Sequence, residues 1–568
     1  MPSRIHAVVA ATAIGVLAAS NASRVGAKDH FLTIGGGYDP SGNQISLERN
    51  VAFLQQTLAE RYRQPPPHDV FFADGDAPER DLVFLDSCGL DNCQPAQRMM
   101  CEVFGCADSA GLRYRNHEVA DVRGPTEREA IRRRFRELGR QLNAGDRLFV
   151  YVTAHGGAGG DEYGDDYDYE YDEVEEQWVA RESSGGEASL YEDFNTSLYL
   201  WDSESVEASE FGRWLDRIPP EVDVVLVMVQ CYAGGFANAI YQRNDPELGL
   251  SPARRCGFFA QVHDRGAAGC TPEANEIEYE EYSSYFWAAL RGSSRGGEPI
   301  TSADYDGDRQ VSLAEAHSYA VIESDTIDIP VRTSDVFLRR YSRLGGAVAE
   351  DDQSDEGGAV SRLFGNVFSA KKQPPQQELQ EASGSLADLA AQARPDQRAV
   401  LEQLPSKLGM SGETTVEAVR VKLRHAKSEA AAANVRYQTA RRAVRRAGAA
   451  LYEDVCAEWP ELTERFSLVA AELTSTRADE FTTVVESLPS YAAWSSAQQR
   501  EEQRSDEVWA AQCLEAKTQR LLRTIENIVL SANLPRTASS EIVERYAQLI
   551  ALEEASLDVP VDQLAEQP

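Results

Sequence analysis

From residue 31 the chain alternates short apolar runs with amphipathic stretches. Residues 31–34 run into Gly35-Gly36-Gly37, and residues 46 to about 61 then repeat their apolar positions at helical spacing. Further apolar runs fall at 70–72, 148–152, 224–229 and 257–262, with helical patterns near 127–142 and 207–215 between them. Short buried runs separated by helices predict a mostly parallel sheet with helices on both faces. The expected fold class is therefore α/β across about residues 28–345. Residues 346–385 shift to Gly, Asp, Glu, Gln and Pro and read as a linker. Beyond them, 386–568 is rich in Ala, Glu, Arg, Leu and Gln and predicts a C-terminal all-α domain of long helices with coiled-coil character.

The N-terminus changes the picture of where this chain works. A short basic start precedes the apolar residues 7–19, and small residues follow at Ser20-Asn21-Ala22 and again at Val25-Gly26-Ala27. That is the layout of a secretory signal, expected over residues 1–22 with cleavage as late as 27, and it implies a secreted or periplasmic protein.

Composition then narrows the partners. The 568 residues are 42% hydrophobic and 26% charged, enough apolar material for real cores. Asp and Glu outnumber Lys and Arg by 92 to 56, for a net charge of −36. Such a surface repels a phosphate backbone, so nucleic acid is not expected as a partner. No apolar run reaches the ~18–20 residues that span a bilayer, so no membrane span is expected.

Export makes paired thiols the first expectation for the nine cysteines. Cys88, Cys93, Cys101 and Cys106 cluster in one polar region, Cys256 and Cys270 flank an apolar segment, and Cys456 and Cys513 fall on separate predicted helices. Eight can pair, which leaves Cys231 over, at the end of a buried-looking strand.

Two strands end in reactive residues. Residues 148–154 run into His155-Gly156-Gly157, and residues 224–229 run into Gln230-Cys231-Tyr232-Ala233-Gly234. Ligands of open parallel sheets bind outside the carboxyl ends of the strands, so both side chains are expected on one edge. A thiolate is a competent nucleophile, and a nearby imidazole activates it and later protonates a leaving amine. The Gly156 and Cys231 amides are candidate oxyanion donors. Taken singly, each residue is as readily a buried thiol or a turn histidine; their occurrence together at matching strand ends favours chemistry.

These segments, with the opening Phe31-Leu32-Thr33-Ile34-Gly35-Gly36, resemble the caspase-like cysteine peptidases: legumains, metacaspases, gingipains and caspases. The likeness covers about residues 30–340. It implies a caspase-haemoglobinase-like sheet, a Cys–His dyad with Cys231 as nucleophile and His155 as general acid and base, and oxyanion donors at Gly156 and Cys231. The Cys-x-Ala-Gly spacing is closer to the legumain version, although Ala154 stands where legumains often carry Asp. No third residue orienting the dyad is named by the sequence. The expected activity is a cysteine endopeptidase acting on protein or peptide substrates. Its alternatives are a transamidase on the same dyad or a non-catalytic binding protein of the same fold.

Three further stretches bear on regulation. Asp304, Asp306, Asp308, Gln310 and Glu315 fit positions 1, 3, 5, 7 and 12 of a calcium loop, Gln310 through its backbone carbonyl, with Arg309 in place of the usual glycine at position 6. Ca²⁺ is thus an expected structural or regulatory ion, with none needed for the chemistry; the alternative is an Asp-rich turn capping the helix from Ser312. An acidic insertion over 158–195, with ten acidic residues and no basic one in 161–176, reads as a solvated loop that hangs beside the cleft. Residues 416–448 carry nine Lys or Arg against two Glu, either a solvated helical face or a surface that docks on the acidic half and restrains it. Asp264 and the Glu-rich stretch 273–281 are candidates for lining a pocket for a cationic side chain.

Overall fold

The computed structural model describes residues 28–85, 95–105, 112–160, 192–269, 280–346, 379–464 and 467–557, together with the backbone of a two-stranded ribbon at 169–172 and 177–180. The signal segment, the acidic run 161–176 apart from that ribbon, and most of the linker lie outside them.

Seven strands form the central sheet: β1 (Asp29–Gly35), β2 (His68–Phe72), β3 (Val122–Gly124), β4 (Arg147–Thr153), β5 (Asp223–Met228), β6 (Arg255–Phe259) and β7 (Val331–Arg332). Their spatial order is β7-β6-β5-β4-β1-β2-β3; all neighbours run parallel except the edge strand β7, which is antiparallel to β6. The apolar runs of the sequence are these strands, and both their faces are buried. Phe31, Phe149, Tyr151, Val225, Val227 and Phe258 point to one core, and Leu32, Ile34, Leu148, Val150, Val224 and Leu226 to the other.

Helices α1 (Ile45–Arg61), α2 (Arg128–Gln141), α3 (Ala208–Leu215), α4 (Tyr282–Arg291), α5 (Leu313–Glu323) and α6 (Thr333–Tyr341) cover these faces. Phe135 of α2 and Phe211 and Trp214 of α3 fill the second core, while Phe53 of α1, Phe286 and Trp287 of α4 and Phe337 of α6 fill the first. The class is α/β, with a mostly parallel sheet and a helical C-terminal region.

That region contains α7 (Val416–Glu458), α8 (Pro489–Thr537) and α9 (Ser540–Glu553). α7 and α8, about 65 and 74 Å long at 1.5 Å per residue, pack along one another through small residues, Ala430, Ala433 and Ala511. The helical region shares a core with the sheet. Leu530 and Leu534 of α8, Tyr546, Leu549 and Leu552 of α9, and Leu557 belong to the same core as Phe31 and Phe149. Glu553, fully buried, accepts the Thr333 hydroxyl at 3.0 Å, the Ser334 amide at 2.9 Å and the Ser334 hydroxyl at 2.8 Å, capping α6 across the expected domain boundary. Both ends of the linker meet at Asn533, whose Nδ2 donates to the Arg343 and Gln380 carbonyls at 2.9 and 2.8 Å.

The ion pairs of Arg424 and Arg436 stay within the helical region, while Val416 and Val419 at the start of α7 share a core with Val321 and Ile322 of α5. Arg424 pairs with Glu417 and Arg436 with Glu429 on α7 itself, and Arg436 reaches Glu507 on α8. α8 and α9 also pack on the α/β half, through Leu530, Leu534, Tyr546, Leu549 and Leu552. The far end of the α7–α8 pair meets a helix sent out from the N-terminal half, Pro95–Val103, which packs against Leu451, Val455 and Trp494. Among the described residues no helix is long and apolar enough to cross a membrane.

Candidate active site

β4 and β5 are neighbours in register, Val152 opposite Met228, so the chain leaves the sheet edge at His155 and at Cys231 side by side. The glycine after the histidine is demanded by what lies behind it: a β-carbon on Gly156 would overlap the carbonyl oxygen of Cys231. Gly156 also pairs with Leu198 in a small antiparallel ribbon, which anchors the turn.

The ring of His155 is oriented by the β1–α1 loop. Its Nε2 lies 2.8 Å from the Gly42 carbonyl and 2.9 Å from Oε1 of Gln44, and Tyr38 meets the ring edge-on at 5.2 Å. Both partners of Nε2 are oxygens, so that nitrogen donates and Nδ1 keeps its lone pair. Gln44 occupies the N-cap position of α1 yet makes no side-chain cap, because its amide is turned to the histidine instead. Asn43 braces the loop: its Oδ1 accepts the Gly37 amide at 3.1 Å and its Nδ2 donates to the Asp81 carbonyl at 2.9 Å. Burial holds the His155 pKa below the ordinary imidazole value, against the opposing pull of the Gly42 carbonyl and of Asp39.

Cys231 is partly buried, and Tyr232 after it takes a left-handed conformation, φ 59°, that turns the chain sharply away from the strand. The Tyr232 amide donates to the Arg265 carbonyl at 3.0 Å, and the Ala267 amide donates to Cys231 Sγ at 3.2 Å. Burial pushes the thiol pKa up, the Ala267 N–H pulls it down, and nearby Asp328 adds to the rise. At neutral pH the resting pair is thus a thiol and a neutral imidazole, with Nδ1 available to take the proton.

Cys231 is not singled out by elimination. Among the described residues Cys256, Cys456 and Cys513 are also unpaired thiols, which corrects the expectation that they sit in disulfides. Cys256 is wholly buried, Cys513 nearly so and Cys456 lies on α7, away from the strand ends; position distinguishes Cys231. Cys88, Cys93, Cys106 and Cys270 lie outside the described residues.

Glu281 is not open to a cationic ligand. Its carboxylate accepts the Ser283 amide at 2.7 Å, the Ser284 amide at 2.7 Å and the Arg295 guanidinium at 3.1 Å, capping α4. Residues 273–279 lie outside the described residues, and Asp264 stands beside His263.

The 304–315 loop brings the carboxylates of Asp304, Asp306 and Glu315 within 4.8 Å of one another. Arg309 adopts φ 72°, the left-handed conformation that glycine takes at this position of a calcium loop. Asp308 is outside this triplet and accepts the Gln310 amide at 2.7 Å, while the Gln310 side chain bonds Ser556 at 2.8 Å. Glu315 also closes a capping box with Ser312, so the capping alternative describes a real part of its work. A second triplet that the sequence did not suggest, Asp74, Asp81 and His117, lies beyond the end of β2. Both nitrogens of His117 are engaged there, by the Gly75 carbonyl at 2.7 Å and the Val119 amide at 3.2 Å.

No family model matches the chain, and no curated protein matches it. Among solved structures it is similar to protein GSU0716 from Geobacter sulfurreducens, at 12% identity over 54% of this chain and 92% of that one, with a TM-score of 0.28, too slight a likeness to carry an argument.

Proposed function

We propose that the chain is a caspase-like cysteine endopeptidase whose dyad is Cys231 and His155. One observation carries the reading: the two residues leave adjacent, in-register parallel strands at the same sheet edge, with Gly156 packed against the Cys231 carbonyl. In the proposed mechanism His155 Nδ1 takes the thiol proton and Cys231 Sγ attacks the scissile carbonyl carbon. The amides of Gly156 and Cys231 receive the oxyanion. The C–N bond breaks as the amine takes its proton from His155, and water activated by the same imidazole hydrolyses the thioester. The Gly42 carbonyl and Gln44 amide keep Nε2–H donating throughout, so the proton moves only at Nδ1. Support from the fold is general, an α/β sheet of parallel strands with one antiparallel edge.

The same proposal keeps Ca²⁺ as an ion held by Asp304, Asp306 and Glu315, whose carboxylates converge, with Asp308 and the Gln310 carbonyl as further oxygens. It also keeps export as the setting, on the N-terminal sequence alone.

Profiling the purified chain on a peptide library tests the reading. Cleavage by the parent that is absent from Cys231→Ala supports it, and cleavage undiminished in that variant overturns it. Product analysis with an added amine separates hydrolysis from transamidation.

A further inference from the structure

Arg520 is an arginine of α8 whose side chain is fully buried, in a helix that the sequence reading set apart from the catalytic half. Its Nε donates to the Asp328 carbonyl at 2.6 Å, its Nη1 to the Ser324 carbonyl at 2.8 Å and the Val321 carbonyl at 3.3 Å, and its Nη2 to the Thr326 carbonyl at 2.8 Å. One guanidinium thus gathers the backbone oxygens of the connection from α5 to β7, oxygens that a buried turn would otherwise leave unpaired.

That connection reaches the candidate nucleophile in two steps. Asp328, 1% exposed, accepts the Thr326 hydroxyl at 3.0 Å and the Ala268 amide at 2.8 Å. The preceding amide, Ala267 N–H, is the one that donates to Cys231 Sγ. Gln261, fully buried, ties the same two loops from the other side, donating to the Gly266 carbonyl at 2.9 Å and accepting the Ile329 amide at 3.1 Å. α8 grips the pair again through Glu515 on Arg265, Lys517 on Asp325, and Cys513 on the Asp325 carbonyl.

We propose that Arg520 is a positioning residue for Cys231: acting through Asp328, it holds the 261–268 loop so that the Ala267 amide stays on the sulfur and stabilises the thiolate. The helical region is then a working part of the site. The proposal rests on the peptidase reading only for its functional meaning, since the state of the thiol can be read without a substrate. The titratable and charged groups around Cys231 are His155 at the end of β4, Asp328, and Arg265 paired to Glu515.

The test is the pH dependence of Cys231 alkylation by iodoacetamide in the full chain, followed by mass spectrometry of the Cys231 peptide. Arg520→Lys keeps the charge but replaces the planar fork by a point donor. Its inflection is expected about half a unit to one unit above the parent's, the size of one lost hydrogen bond to a thiolate. A parent-like inflection in a folded Arg520→Lys protein overturns the proposal. Should that variant not fold, Asp328→Ala and Asp328→Asn decide. Both remove the charge, but only Asn still accepts the Ala268 amide, so Ala should titrate above Asn; equal inflections overturn the proposal. A displaced inflection in a protein that cleaves no peptide would keep the positioning role and remove the peptidase reading.

Discussion

Gly156 stands with its Cα against the carbonyl oxygen of Cys231, so close that a β-carbon there would overlap that oxygen and come within 2.9 Å of both Gln230 Cγ and the Ser197 carbonyl. Two of these three neighbours are backbone and cannot swing aside. Gly156→Ala must therefore push the two strand ends apart.

Its cost in stability should be about 1–3 kcal/mol, the range for overpacking a tight site. Turnover should fall by roughly 10²–10³, the effect of misplacing one oxyanion donor. Thermal melts and peptide turnover check both, and a variant with parent turnover would remove Gly156 from the oxyanion site.

If the dyad works as proposed, Gln44, whose Oε1 lies 2.9 Å from His155 Nε2, should set the acid limb of activity. An imidazole that must be neutral to accept the thiol proton loses activity as pH falls through its pKa, and burial holds that pKa down in His155, which extends activity to lower pH. Gln44→Glu places a carboxylate on Nε2–H and raises that pKa, so the acid limb of kcat/KM should move to higher pH. An unmoved limb would show that Gln44 does not govern the imidazole.

On the proposed mechanism His155 activates the Cys231 thiol, and its removal should show this. With His155→Ala, native-state alkylation of Cys231 at neutral pH should slow by at least about tenfold, since no neutral imidazole is then present to take the thiol proton as the sulfur attacks. Equal labelling rates in parent and variant would break the dyad.

A chain ended near Arg343 should fail to fold. It would lack Leu530, Leu534, Tyr546, Leu549, Leu552 and Leu557 from the core around Phe31. At roughly 1.5–3 kcal/mol per large apolar side chain, six of them match the roughly 5–15 kcal/mol that holds a domain folded. Soluble, cooperatively melting protein from that truncation would contradict the shared core.

Calcium should raise the melting temperature relative to a chelator. The double variant Asp304→Asn and Asp306→Asn should lose that rise while Glu315 continues to cap α5. The same response in both proteins would dismiss the ion.

The strands were legible because a buried parallel strand must be apolar on both faces, and the runs at 70–72, 148–152 and 224–229 are unbroken. His155 and Cys231 could be picked out because each follows such a run directly. Gly42 and Gln44 could not, since a backbone carbonyl carries no signature and Gln at an N-cap looks like an ordinary surface residue. Elimination among the cysteines misled, because pairing depends on which thiols meet in space, and Cys256 and Cys513 are buried as thiols.

By itself the sequence determined the α/β class, the positions of the strands and the two strand ends that carry sulfur and imidazole, because local periodicity and residue chemistry are written along the chain. Only the tertiary structure decided that α8 and α9 complete the core of the sheet, that Glu553 caps α6, and that Arg520 braces the loop on Cys231. Arg520 and Asp328 are 192 residues apart. Such contacts are fixed by how whole elements pack and by the need of buried carbonyls for donors, and neither leaves a trace in the spacing of residues along the chain.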